Sequence, residues 1–312
     1  MTRGTLSSGA TPYLSVVVTI VDGSDALRRF LAAIMTQTGA PPMEILVPFD
    51  DSVSYVGEWQ AEYPAVRFMR MGARHTLRGV ATPSGQHDLI DQRRAAGLGE
   101  AQGELIAILE DRSPPGSDWA SSMERLHREL PDGVIGGVIA CSAQDDLNWS
   151  LWACDFGRYA PGSPDGPRAW ISDVNVCYKR RCVEMTRDLW SERFNEARMH
   201  WRLRERGETL YLSNAAVVHN ETNYRSLSGV LRERFQWGRS FGCARAGHAS
   251  PVARLGYILG SPLIPFVLFT RHWRTQQRLG NGGRFVRAAR YVFPVLFAWS
   301  AGEAWGAVTR RR

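Results

Sequence analysis

The sequence predicts an α/β fold with a mainly parallel mixed sheet flanked by helices, followed by a C-terminal helical tail. Three observations carry that expectation. Strand-length apolar runs alternate with amphipathic helical stretches at the spacing of βαβ units. Residues Leu105–Leu109 (LIAIL) are apolar at every position, as a strand buried on both faces of a parallel sheet requires. Three such runs end in acids, at Asp22, at Asp50-Asp51 and at Glu110-Asp111. Carboxylates are thereby expected at the carboxyl edge of the sheet, where open α/β folds bind ligands.

Taken in order, Leu14–Ile20 (LSVVVTI) is rich in β-branched residues and reads as a buried strand. A turn over Val21-Asp22-Gly23-Ser24 follows, with Ser24 expected to cap the next helix. That helix carries Leu27, Phe30, Leu31, Ile34 and Met35 on one face. Glu44–Phe49 is a second strand and Val66–Met71 a third. A helix from about Asp88 to Ala101 leads into the Leu105–Leu109 strand. Beyond a further strand at Val134–Ala140 the chain turns aromatic and polar, with Trp149, Trp152, Phe156, Tyr159 and Trp170. A helix from about Glu196 to Arg206 is stopped by Gly207, and a strand over Ala215–Val218 leads to His219.

Composition narrows the functional classes. The chain has 312 residues, 44% of them hydrophobic, enough for one large or two modest domains. Its five cysteines are odd in number and lack CxxC or Cys/His spacing, which predicts reduced thiols in a cytosolic protein and no zinc site. The leading Met1–Pro12 stretch is small and polar, so no signal peptide is expected. Neither GxGxxG nor GxxxxGK[ST] occurs, which argues against a dinucleotide fold and a P-loop.

The formal charge of +7 is unevenly placed, with nine arginines against one acid between Thr270 and Arg312. Leu255–Thr270 carries no charge for 16 residues and Tyr291–Gly302 none for 12. Both are shorter than the ~20 residues that span a bilayer. Flanked by arginines and aromatics, they predict a tail lying on an anionic membrane surface; ordinary buried helices of a subdomain are the alternative. A nucleic-acid partner is not expected, since the basic residues sit beside apolar runs and no binding signature is present. The expected division is a flexible 1–12, an α/β domain over 13–245 and a membrane-associating helical tail over 246–312.

Several blocks then fall into a familiar order. Arg93-Arg94-Ala95-Ala96-Gly97-Leu98 is followed by Gly103-Glu104-Leu105-Ile106-Ala107-Ile108-Leu109-Glu110-Asp111. Asp50 ends a strand in Val47-Pro48-Phe49-Asp50-Asp51-Ser52, and Thr19-Ile20-Val21-Asp22 ends the first. Later come Asn175-Val176-Cys177-Tyr178-Lys179-Arg180, Asn195-Glu196, His200-Trp201-Arg202-Leu203 with Gly207, His219, and Phe235-Gln236-Trp237-Gly238-Arg239. Over roughly residues 13–245 this order resembles the family 2 glycosyltransferases, with their GT-A fold. No QxxRW motif is present, which implies a non-processive member.

The resemblance implies inverting transfer of a sugar from a nucleoside diphosphate donor to an acceptor hydroxyl of a lipid-linked or cell-surface glycan. A catalytically silent domain that binds nucleotide or membrane is the alternative. By the same resemblance Glu196 is the general base, with Asp173 in reserve. The donor would be held by Thr19, Asp22, Asp50, Arg93, Glu110, Asp111 and Arg112, with Asp22 and Asp50 on base and ribose and Arg93 on a phosphate. The implied cofactor is Mg²⁺ or Mn²⁺, held by Asp111 with His219 and with Glu110 as the other candidate acid. Arg112 stands where many members carry a third acid, and so either accompanies the cation or neutralises the leaving diphosphate itself. Trp149, Trp152 and Trp170 are expected either to line a sugar or acceptor pocket or to pack in the core. The resemblance places the protein on the cytoplasmic side of a membrane, peripheral or monotopic.

Overall fold

A computed structural model describes residues 11–76, 83–247 and 250–309. Most of the expected N-terminal flexible stretch and the last three arginines lie outside the described residues. The elements follow in the order β1 (Leu14–Thr19), α1 (Ser24–Met35), β2 (Met43–Phe49), β3 (Val66–Arg70), α2 (Pro83–Glu100), β4 (Leu105–Glu110), α3 (Trp119–Glu129), β5 (Val134–Cys141) and α4 (Asp146–Asp155). They continue with β6 (Gly166–Arg168), β7 (Asn175–Lys179), α5 (Arg180–Met185), α6 (Arg187–Trp190), α7 (Glu196–Glu205) and β8 (Leu210–Asn220). The last helices are α8 (Leu227–Gly247), α9 (Pro251–Gly260), α10 (Ile264–Arg278) and α11 (Gly282–Thr309). Contacts divide the chain into two compact units, one drawn from residues 1–80, 85–140 and 159–220, the other from 81–84, 141–158 and 221–312.

The first unit is built on a mixed sheet in the order β3-β2-β1-β4-β7-β5-β8-β6. The four strands β3-β2-β1-β4 run parallel, and β7 joins β4 antiparallel. Every residue of β1 and of β4 is buried, in keeping with their unbroken apolar runs. β1 lies between β2 and β4, so the chain winds outward to β3 and then returns to the other side of β1. Open α/β sheets bind ligands at such a reversal, and here it falls at the carboxyl ends of β1 and β4, where Thr19 pairs with Glu110. Helix α1 buries Leu27, Phe30, Leu31 and Ile34, as its periodicity predicts. Ser24 is not its side-chain cap: the N-cap is Gly23, and the Ser24 amide and hydroxyl both reach the Tyr55 hydroxyl.

The second unit is helical. Its core seam joins α8 and α11 backbone to backbone, through Gly238 and Gly242 on one helix and Gly302 and Gly306 on the other. A Cβ on Gly242 would lie 2.1 Å from the Glu303 carbonyl oxygen, and one on Gly306 would lie 2.1 Å from that of Arg239. Small residues four apart on both helices allow this approach. The boundary expected at residue 245 therefore differs from the division by contacts, because it would cut α8 from the helix it packs against. Trp149 and Trp152 are not pocket residues of the sheet domain. They lie on α4 in the second unit, 2% and 4% exposed, and Trp149 meets Phe285 edge-on beneath the Arg284 guanidinium. Among the described residues, no helix is long and apolar enough to cross a membrane.

Candidate functional site

The expected strand-end acids do gather at the carboxyl edge of the parallel strands, but most of them are held from inside. Asp111 is fully buried. Its amide donates to the Thr19 carbonyl at 3.0 Å. Its carboxylate accepts three backbone N–H groups from the β1–α1 turn: Val21 at 3.0 Å, Asp22 at 3.3 Å and Gly23 at 2.6 Å. Gly23 can turn its amide inward because its φ is +66°, a conformation that costs side-chain-bearing residues energy. Burial pushes the Asp111 carboxyl up to about 7, against the pull of the Gly23 and Val21 amides. The carboxylate implied as a metal ligand is thus buried, and it closes the first turn of the fold.

Asp50 and Arg93 are likewise internal, 2% and 1% exposed. The Arg93 Nη2 and Nε meet Asp50 Oδ2 at 2.6 and 2.8 Å, Nη1 donates to the Ile20 carbonyl at 2.6 Å, and Nη2 to the Ser52 hydroxyl at 3.2 Å. The other Asp50 oxygen caps the following turn through the Ser52 amide at 2.9 Å. Burial would raise the Asp50 carboxyl, but Ser52 and Arg93 hold it below the usual range. Arg93 is thus a strut between the ends of β1 and β2, and the expected reach to a phosphate is corrected. Thr19 is also fully buried, and its hydroxyl has no hydrogen-bond partner among the described residues. It is a core position.

The neighbouring Arg94 organises a different cluster. Its guanidinium is 2% exposed and joins three acids from three parts of the chain. Nη2 meets Glu110 Oε1 at 2.8 Å, while Nη1 meets Asp173 Oδ2 at 2.7 Å and Asp91 Oδ1 at 3.4 Å. It stacks 5.6 Å over the Phe194 ring. Burial would lower the Arg94 pKa, yet Asp173, Glu110, Asp91 and Glu196 together raise it, which places the Glu196 charge in the same field. The Phe194 amide donates to the Asp91 carbonyl at 3.1 Å and ties the start of α7 to α2. Two residues on, Glu196 opens α7, with Asn195 capping the helix through the Arg198 amide at 2.9 Å. Behind them Tyr178 and His200 share a buried hydrogen bond of 3.0 Å.

Glu110 has a second cation. Arg112 Nε donates to its Oε2 at 2.9 Å, and the Arg112 side chain keeps 16% of its surface exposed. Burial would raise Glu110, but Arg112 and Arg94 together hold it below the ordinary range. Asp22 is exposed at the same edge. Desolvation in the crowded turn raises its carboxyl, with Arg112 drawing it down and Glu110 pushing it up. His219 is exposed at the end of β8, its amide bonded to the Pro114 carbonyl at 2.9 Å beside the loop that leaves Asp111. Trp170 is half-buried against Trp201, ring centroids 5.5 Å apart, near His200.

The structure therefore brings together Asp22, Glu110, Arg112, Asp173 and Glu196, and sets Thr19, Asp50, Arg93 and Asp111 behind them. It adds Arg94, Asp91 and Tyr178. A sequence signal for Arg94 was present in the Asp91/Arg94 spacing of one helical turn, next to an otherwise interchangeable Arg93. The Lys179-Arg180 end of the motif at Asn175 lies at the opposite edge, where Arg180 donates to the Ala101 and Gly103 carbonyls. A cleft there is lined by Tyr13, Glu104, His127, Lys179 and Arg181. Its cations are already engaged, Lys179 by the Leu130 and Pro131 carbonyls and Arg181 by Glu208.

The donor set does not fit Mg²⁺ or Mn²⁺. Both Glu110 oxygens face guanidinium groups, and both Asp111 oxygens face backbone amides. Hard divalent cations need several oxygen ligands, and no group of three His, Cys, Asp or Glu is placed to hold one among the described residues. The implied Asp111–His219 pair is thus corrected as a cation site.

No family model and no curated protein matches the chain. Among solved structures it is similar to the mannosyltransferase PcManGT from Pyrobaculum calidifontis, in complex with GDP-Man and Mn²⁺. The identity is 14%, over 90% of this chain and 76% of that chain, with a TM-score of 0.46. A likeness of this degree leaves the functional argument to the residues of the site.

Proposed function

We propose that the chain is a glycosyltransferase of the GT-A type, resembling family 2, that moves a sugar from a nucleoside diphosphate donor to an acceptor hydroxyl with inversion. The observation that carries the reading is the cluster at the carboxyl ends of β1 and β4. There Glu110 bridges a partly exposed arginine, Arg112, and an internal one, Arg94, which also pairs with Asp173 and lies in the field of Glu196.

Transfer from a diphosphate makes two demands: a base for the acceptor hydroxyl and positive charge for the leaving group. Arg112 supplies the charge, held in place by Glu110. Glu196 is the base. Asp173 is the weaker candidate, because its carboxylate oxygen is already engaged by Arg94 at 2.7 Å. Arg94 sets the distance between the two by tying the loop before β7 to α2. Asp22 remains placed to receive a donor hydroxyl or base N–H. A non-processive enzyme acting on a lipid-linked or surface glycan is the acceptor reading, supported by the motif order alone.

The test is transfer and thermal shift with UDP-, GDP- and dTDP-sugars, with and without Mn²⁺ and a chelator. One donor should raise the melting temperature and be consumed, and the chelator should leave turnover unchanged. Glu196→Gln should lower turnover by roughly 10²–10⁴-fold, the range for a lost general base, with donor binding retained. If no nucleotide sugar binds or reacts, the reading is wrong. If the chelator abolishes turnover, Arg112 does not carry the leaving group.

A further inference from the structure

The strongest feature outside that site is the outer surface of the second unit. Among the described residues, four exposed large hydrophobics lie in the first unit (Met35, Tyr55, Met185 and Trp201), and eleven in the second, smaller one. Six of the eleven fall in one run: Val252, Leu255, Leu259, Leu263, Phe266 and Val267, 53–82% exposed. Their spacings are 3, 4, 4, 3 and 1. Residues three or four apart share a helix face, and the backbone stays helical from α9 to α10, with Gly260, Leu263 and Ile264 all in the right-handed region. The six therefore form one apolar stripe turned to solvent. A surface helix of a globular domain turns such a stripe inward, and contiguous exposed apolar surface marks an interaction site.

The charge around the stripe says what it meets. From Arg234 to Gly302 the sequence holds ten arginines and no acid. Several of these arginines are engaged internally: Arg234 with Asp155, Arg245 with Glu303, and Arg254 with the Ala307 and Val308 carbonyls. Arg271, Arg274 and Arg278 are exposed, and they continue the helix directly beyond the stripe. Arg287 is exposed on α11. One element thus offers an apolar face and then a cationic end.

We infer that this face docks on an anionic lipid leaflet, α9 and α10 lying in the interface with their arginines on lipid phosphates. A second copy of the chain is a poorer occupant, because it would bring the same acid-free, arginine-rich face against itself. A partner helix would have to match the 3-10 turn that the stripe makes at Ser261–Leu263, with Pro262 and Pro265 beside it. A fluid leaflet needs no register. It supplies an apolar layer and anionic headgroups together, which is what interfacial helices use. The docking is on the surface and not across it, since no described helix is long and apolar enough to span. The inference does not rest on sugar transfer.

The test uses the full-length protein and flotation with vesicles of phosphatidylglycerol and phosphatidylcholine, against phosphatidylcholine alone. The protein should float with the anionic vesicles and far less with the neutral ones. Leu259→Glu with Val267→Glu, at positions 69% and 66% exposed, should abolish flotation while the melting temperature stays unchanged. Arg271→Gln with Arg274→Gln and Arg278→Gln should weaken binding roughly fivefold per arginine, the factor that about 1 kcal/mol each corresponds to, and flatten its salt dependence. Failure of the natural sequence to bind anionic vesicles overturns the inference, as does undiminished binding by the double glutamate variant. A dimer in vesicle-free solution that Leu259→Glu dissolves would assign the face to a second copy and overturn it equally.

Discussion

The carboxyl edge of the first unit and the outer face of the second invert the usual rule of burial in opposite ways. At the edge, charged groups are inside: Asp50, Arg93, Arg94, Glu110 and Asp111 are each 5% exposed or less. On the outer face, leucine, valine and phenylalanine are outside. The charges at the edge persist because each has a partner, guanidinium for Glu110 and Asp50 and backbone amides for Asp111. The apolar face has no such internal compensation. One region is complete in itself and holds a shape, while the other is built to be covered. The difference teaches where substitution is costly: a polar change is severe at the edge and harmless on the stripe.

The largest expected effect tests the edge. Asp50→Ala leaves Arg93 with the Ile20 carbonyl and the Ser52 hydroxyl but no counter-charge, and should destabilise the fold by about 3–5 kcal/mol. Urea unfolding measures this. A loss below 1 kcal/mol would mean the strut behaves as a surface pair, and the contrast between the regions would collapse.

Next comes the seam inside the second unit. Gly242→Leu must move the α11 backbone, because even a Cβ there approaches Glu303 to 2.1 Å. Overpacking of this kind costs about 1–3 kcal/mol. Thermal melting should show the loss, whereas Gly99→Ala on α2, with open space around its Cβ, should not.

A pH titration sharpens the comparison without destabilising anything at neutrality. Burial lowers His200 to about 3 and His127 to about 4, from an ordinary 6.5. On acidification the unfolded chain takes up these protons before the folded one does. Stability is therefore present above about pH 6.5 and lost as pH falls toward 4. His200→Gln should flatten that limb of the melting-temperature profile. An unchanged slope would assign the acid lability to other groups.

The smallest effect belongs to the stripe. Leu259→Glu alone should shift unfolding free energy by no more than about 0.5 kcal/mol, as surface substitutions do. A larger loss would mean that Leu259 packs within the unit and that the face is not open.

Much of the architecture was legible before any coordinates. Leu14–Thr19 and Leu105–Glu110 are strands because their unbroken apolar, β-branched runs suit a sheet covered on both faces. The helix at Glu196 ends at Gly207, whose φ of +86° is the conformation its position predicts. The clustering of Asp22, Glu110, Asp173 and Glu196 followed from strand ends and motif order. What could not be read was which acids stay available. Arg93 and Arg94 are adjacent and chemically identical, yet about 100° of helix rotation sends one to Asp50 and the other to Glu110 and Asp173.

By itself the sequence determined the α/β class, the parallel run of strands with acids at their ends, and the arginine-rich tail with its single acid. Only the tertiary structure decided that Asp111 closes a turn, that Trp149 and Trp152 belong to the helical unit, and that the apolar stripe of α9 and α10 faces outward while Phe285, Val292 and Val295 are buried. The physical reason is one of range. Periodicity and end signals are carried by neighbours along the chain, whereas burial and charge pairing depend on residues tens of positions away that only folding brings within 3 Å.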